Sequence, residues 1–276
     1  MKSRLLCRTL SPLFLVPLCW CAGCGTLPDG RRWGQDVTLA PGWDRIRRAA
    51  VNAVCETGTW VPVAGALAFT IGDFDENASD WAMEHTPLFG SRDAAADASD
   101  QLVDGLQLWA LATALATSSG ESPGSWTWAK IKGLAVEKAG IEIAALDLNK
   151  LSTRWLKTEI GRNRPDRADS ASFPSGHSAD AFGAATLASR NLEYINMPEP
   201  LRDTLQAGTV MSATATAWAR VEAGKHYPSD VLAGAALAHF VTVFIHDAFL
   251  GLPNDEEHLV VLPAEDGLEV QLKWKF

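Results

Sequence analysis

Three clusters of charged and turn-forming residues, spread over Lys157–Asp230, constrain this chain more than any other feature. Six residues separate Lys157 from Arg164-Pro165, Pro174-Ser175-Gly176-His177 follows, five residues separate Arg220 from His226, and three separate His226 from Asp230. The stretch supplies three permanent cations, two histidines, a carboxylate near one of them, and a Pro-Ser-Gly turn that opens a helix. Such an inventory suits phosphoryl transfer, in which an anion gains charge around phosphorus and must meet preorganised donors. Arg offers a planar fork to phosphate oxygens and Lys a compact charge. A glycine lets backbone come close to a ligand, and a helix start presents free N–H groups to an anion.

At these positions the chain resembles the type 2 phosphatidic acid phosphatase superfamily, which includes class A acid phosphatases and vanadium haloperoxidases. The resemblance implies a metal-independent phosphatase of phosphate monoesters, without cofactor, working through a phosphohistidine. Carried over, Lys157, Arg164 and Arg220 bind phosphate, and Ser175 and Gly176 add hydroxyl and backbone donors. His177 protonates the leaving group, His226 is the nucleophile and Asp230 orients it. One departure is visible: Ala219-Arg220 stands where the third motif usually reads Ser-Arg. Two other readings use the same residues. A haloperoxidase would hold vanadate in the pocket, and a non-catalytic envelope scaffold would keep the fold without turnover.

The chain begins with basic residues, Lys2, Arg4 and Arg8, followed by an apolar run and Ala22-Gly23-Cys24. This pattern is an export signal over residues 1–23. Cys24 after Ala-Gly resembles a bacterial lipoprotein site, which implies lipid on Cys24 and a membrane partner. Gly25, rather than Asp, then points to the periplasmic side of the outer membrane. Of the five cysteines, Cys7, Cys19 and Cys21 would leave with the signal, so only Cys55 would remain as a thiol. No disulfide framework is expected. The net charge of −9 argues against nucleic acid as a partner. It makes the cations between Lys157 and Arg220 a focused exception.

Residues 24–43 read as a lipidated tether, 44–252 as an all-α helical bundle of the phosphatase/haloperoxidase kind, and 253–276 as a C-terminal β-hairpin. Within the bundle, Glu56, Gly58 and Pro62 split the apolar stretch 46–72 into two pieces. Helices are expected over 80–89, 99–117, 127–163, 178–191, 201–222 and about 228–249. Pro165 should stop the long one, Lys157 and Arg164 sharing a face at i and i+7. The last is apolar on every face and should be central. Uncharged runs of about 14 to 16 residues fall short of the roughly 20 that span a bilayer. Alternation of Leu268, Val270, Leu272, Trp274 and Phe276 signals the hairpin, an edge cover or a dock for an envelope protein.

The remaining histidines, His85, His239, His246 and His258, read as packing or surface. Asp73 with Asp75, and Asp147 with Asn149, read as solvated faces. The eleven tryptophans are assigned to core and interface packing. No His and carboxylate spacing points to a metal. A phosphorylated substrate, lipid in preference to soluble ester, is the expected ligand.

Overall fold

Glu56, in extended conformation, divides the first apolar stretch into α1 (Trp43–Cys55) and α2 (Thr57–Phe69). Pro62 lies inside α2 and does not end it. The structure is a computed structural model and describes residues 37–117, 128–251, 259–264 and 267–272. The lipidation candidate Cys24, the 1–23 signal, most of the tether and His258 lie outside the described residues.

Six more helices follow: α3 (Phe74–His85), α4 (Arg92–Ala116), α5 (Trp128–Ile160), α6 (Gly176–Glu193), α7 (Glu199–Glu222) and α8 (Pro228–Ile245). A π-helical turn, His246–Leu250, continues α8. The third helix starts earlier than its polar sequence suggested, with Asp75 and Glu76 in its first turn, where carboxylates oppose the helix dipole. The fourth starts at Arg92 because Ser91 caps it, its Oγ accepting the Ala94 N–H. The fifth ends at Ile160, before Pro165, since Gly161 takes a left-handed φ of 58°. Arg164 therefore lies beyond the helix, and the helical phase that placed it on one face with Lys157 does not apply.

At the centre, α8 packs on α2, α5, α6 and α1, while α6 packs on α4, α7 and α8. Small residues make this possible: Ala179, Ala181, Ala184, Ala185 and Ala188 of α6 are buried with Leu187 against α4 and Ala213 of α7. Gly234 of α8 marks a close crossing, since a Cβ there would come within 2.5 Å of the Ser175 carbonyl oxygen. The absence of that Cβ lets α8 lie directly against the start of α6. Over Pro228–Leu250 the chain is long and apolar enough to cross a membrane, longer than the uncharged run alone suggested; 61% of its apolar 18-residue window is buried inside the bundle. Beyond the helices, Leu259–Ala264 (β1) and Gly267–Leu272 (β2) pair antiparallel, Leu259 opposite Leu272.

Two expectations about polar and aromatic residues need correction. Asp75 and Asn149 are 5% and 0% exposed, not solvated, because each has a hydrogen-bond partner in a neighbouring helix. Trp43, Trp60, Trp81 and Trp155 stand 48% or more exposed rather than packed in the core.

Candidate active site

The start of α6, the end of α5, the end of α7 and the start of α8 meet at one end of the bundle, and the loop 161–175 stitches them together. Arg164 N–H donates to the Asp169 carbonyl, Asp166 N–H to the Gly224 carbonyl, and Ser175 N–H to the Asp230 carbonyl, all at 3.0 Å. Gly224, with a φ of 70°, ends α7; a Cβ there would strike Met83 Sδ at 2.5 Å and Arg92 Nη2 at 2.6 Å. The turn it allows carries the chain from Arg220 to His226 within six residues.

His226 is 2% exposed, and its Nδ1 lies 2.6 Å from the Ser172 carbonyl oxygen. A carbonyl can only accept, so Nδ1 carries the proton and the neutral ring keeps its lone pair on Nε2. Burial holds the His226 pKa well below its ordinary value, and Lys157, Arg220 and Arg164 push it the same way. Three cations from three segments therefore converge on one neutral imidazole. Burial and Arg164 also bring Lys157 down to about 8, while its Nζ donates to the Ala171 carbonyl at 2.5 Å. Arg220 is 7% exposed; its Nη1 donates to Ser99 Oγ at 3.0 Å and its buried Nε has no hydrogen-bond partner. An unpaired buried donor is costly, and a phosphate oxygen would satisfy it. Arg164 Nε lies 2.8 Å from Asp169 Oδ1, an ion pair whose geometry falls short of a hydrogen bond.

Asp230 does not touch His226 as the sequence suggested. Its Oδ2 is 4.0 Å from Nδ1, because the Ser172 carbonyl occupies that nitrogen. Instead Asp230 Oδ2 accepts from Ser172 Oγ at 2.5 Å and from the Tyr227 N–H at 2.9 Å. Its hold on the imidazole runs through Ser172. Ser175, fully buried, caps α6 by accepting the Ser178 N–H at 3.3 Å. The next N–H groups, of Gly176 and His177, have no intrahelical acceptor, which leaves a helix N-terminus facing the cations.

His177 Nε2 lies 2.8 Å from Asp100 Oδ1 on α4, at the open side of the site. Burial lowers its pKa and Arg220 lowers it further, while Asp100 raises it. Sequence reasoning missed Asp100, Ser99 and Arg162, all of which bond to residues far away in the chain. A polar residue on an amphipathic helix carries no local mark of a partner 77 positions on. Asp100→Asn should move the alkaline limb of kcat/KM to lower pH, because the acid form of His177 loses the carboxylate that supports it. A pH profile checks this, and an unmoved limb would detach Asp100 from the proton-donor role that the motif resemblance implies for His177.

Among the described residues no group of three or more His, Cys, Asp or Glu could hold a metal ion. His239 and His85 do not join the site: the first bonds Thr186 and Glu56, and the second stacks on Trp81. His246 is buried at the far end of α8.

Residues 141–251 match the family model of the PAP2 superfamily. The matched span holds every phosphate-site residue the motif spacing named. Over 85 residues the chain is 41% identical to the lipid A 1-phosphatase of Porphyromonas gingivalis, a match covering 31% of this chain and only 18% of that protein. A crystal structure of a transmembrane PAP2-type phosphatidylglycerolphosphate phosphatase from Bacillus subtilis superposes with a TM-score of 0.49 at 18% identity. It covers 71% of this chain and 94% of that one.

Proposed function

We propose that this chain is a phosphoric monoester hydrolase that passes the phosphoryl group through His226. The observation that carries the reading is the His226 ring, its Nδ1 proton given to Ser172 and its lone pair left on Nε2 amid Lys157, Arg164 and Arg220. The phosphate oxygens would sit among these cations and the N–H groups of Gly176 and His177. Nε2 attacks phosphorus as the P–O bond to the leaving group breaks, and His177 gives that oxygen a proton. Water then attacks the phosphohistidine, His177 takes its proton, and phosphate leaves with His226 restored.

In this reading the three side-chain cations supply the charge that a divalent ion supplies elsewhere. Activity should survive EDTA, and vanadate, which adopts five-coordinate geometry, should inhibit. Loss on chelation with rescue by a divalent ion would contradict it. His226 must be neutral and His177 protonated, and both pKa values are depressed, so kcat/KM should peak on the acid side of pH 6.5.

A lipid phosphate is the proposed substrate. Trp60, Leu67 and Ile71 on and just after α2, and Leu151 and Trp155 on α5, stand 51–66% exposed, apolar surface suited to a bilayer or to acyl chains. Lipid on Cys24 would keep the domain beside such substrates. Hydrolysis of a diacyl phosphate in mixed micelles should exceed that of a soluble aryl phosphate in kcat/KM. Equal values would remove the lipid preference, and continued membrane attachment of Cys24→Ala would remove the lipid anchor.

A further inference from the structure

Arg162 follows the left-handed Gly161 that ends α5, two positions before the phosphate-binding Arg164. Its side chain turns away from the phosphate pocket. Nη1 donates to Asp230 Oδ1 at 2.7 Å and to Ser229 Oγ at 2.8 Å, and Nη2 donates to Asp75 Oδ2 at 2.7 Å. The guanidinium lies 4.1 Å over the Tyr227 ring. Asp75, reaching in from α3, also accepts the Ser229 N–H at 2.8 Å and the Ser229 hydroxyl. Tyr227, Ser229 and Asp230 of the turn after His226 are thus all gripped.

The contacts close a ring. The backbone carbonyl of Arg162 accepts the Ser172 N–H at 2.9 Å, Ser172 Oγ donates to Asp230, and Asp230 returns to the Arg162 side chain. The other backbone group of Ser172, its carbonyl, holds His226 Nδ1. We propose that Arg162, aimed by Asp75, is a positioning residue for the nucleophile: it fixes Ser172 and Asp230, and through them the tautomer and direction of the His226 ring. The role deepens the phosphatase reading and rests on it. A planar fork is required, since one guanidinium meets three acceptors that an ammonium cannot reach together.

Without Arg162, Asp230 loses the cation on Oδ1 and is held only through Oδ2, by Ser172 Oγ and the Tyr227 N–H, 4.0 Å from His226 Nδ1. The ring faces Lys157 from α5, Arg164 from the loop, Arg220 from α7 and Asp230 from its own turn. A carboxylate freed to approach it makes the imidazole more basic.

The test compares full-length wild type, Arg162→Gln, Arg162→Lys and Asp75→Asn on p-nitrophenyl phosphate, with thermal melts confirming that each is folded at the assay temperature. Arg162→Gln should lower kcat on the order of 10²-fold, the cost of an ångström-scale misplacement. KM and the vanadate inhibition constant should stay within about threefold, because the phosphate cations remain. Arg162→Lys should not recover wild-type kcat, Asp75→Asn should fall in the same direction, and the acid limb of kcat/KM should move to higher pH. A parallel rise in KM and vanadate inhibition constant would make Arg162 a phosphate ligand, and an unchanged kcat would leave it no part in the reaction; either overturns the proposal. Should Arg162→Gln not fold, Arg162→Lys and Asp75→Asn carry the same comparison. Should wild type hydrolyse no ester, the phosphatase reading fails separately, and ¹⁵N NMR of the histidines still decides. The His226 Nδ1–H signature should be present in wild type and altered in the folded Arg162 variant, and an identical spectrum would overturn the proposal.

Discussion

His226→Ala should lose turnover by on the order of 10⁴- to 10⁶-fold, the range seen when a nucleophile and its base act as one unit. In the proposed mechanism this imidazole is the phosphoryl acceptor; Lys157, Arg220 and Arg164 all act on it, whereas His177, which lies at the opening, feels Arg220 and Lys157. Phosphate and vanadate should still bind the variant, since Lys157, Arg164 and Arg220 are untouched. Steady-state kinetics with vanadate titration check both halves. Near wild-type turnover in His226→Ala, with loss in His177→Ala, would reverse the roles assigned to the two rings.

The largest effect on stability should come from the opposite end of the bundle. Arg190, 8% exposed on α6, donates to Asp247 Oδ1 at 2.8 Å and pairs with Glu56. Asn52 Nδ2 meets Asp247 Oδ2 at 2.5 Å, and His239 Nε2 meets Glu56 Oε2 at 2.9 Å. Burial works against the Arg190 charge, but Asp247 and Glu56 more than offset it and hold its pKa above the ordinary arginine value. Arg190→Met removes the cation and leaves a fully buried Asp247 without it. Breaking a buried pair in this way costs about 3–5 kcal/mol. In a domain of this size that lowers Tm by roughly 10 °C. A melt checks it, while kcat below the transition should change little because the pair lies more than ten residues along α6 from His177. An unchanged Tm would mean that Asp247 finds another partner at no cost.

Much of the helical order was legible in the sequence because its punctuation is local. Glu56 between two apolar runs, Pro198 before α7, and Gly224 before His226 each act on their own backbone, so composition reveals them. Gly161 was overlooked beside Pro165, although a left-handed glycine ends a helix sooner than a following proline does. Spacing alone named Lys157, Arg164, His177, Arg220 and His226, and the structure gathers them at one end of the bundle. The carboxylate chemistry was less legible. Asp230 was expected on His226, but the distance between them depends on where loop 161–175 places the Ser172 carbonyl, which no periodicity encodes. Asp75 and Asp100 look like ordinary exposed acids of amphipathic helices. Only tertiary packing brings one to Arg162 and the other to His177.

Trapping the covalent intermediate tests the central claim most directly. Wild-type protein mixed with ³²P-labelled phosphate ester and quenched in alkali within milliseconds should carry label that survives base, is released by acid, and maps by fragmentation to His226. Asp230→Asn should still label, more slowly, and His226→Ala should not label at all. Turnover with no labelled histidine at any quench time, or label that maps to another residue, would contradict phosphoryl transfer through His226.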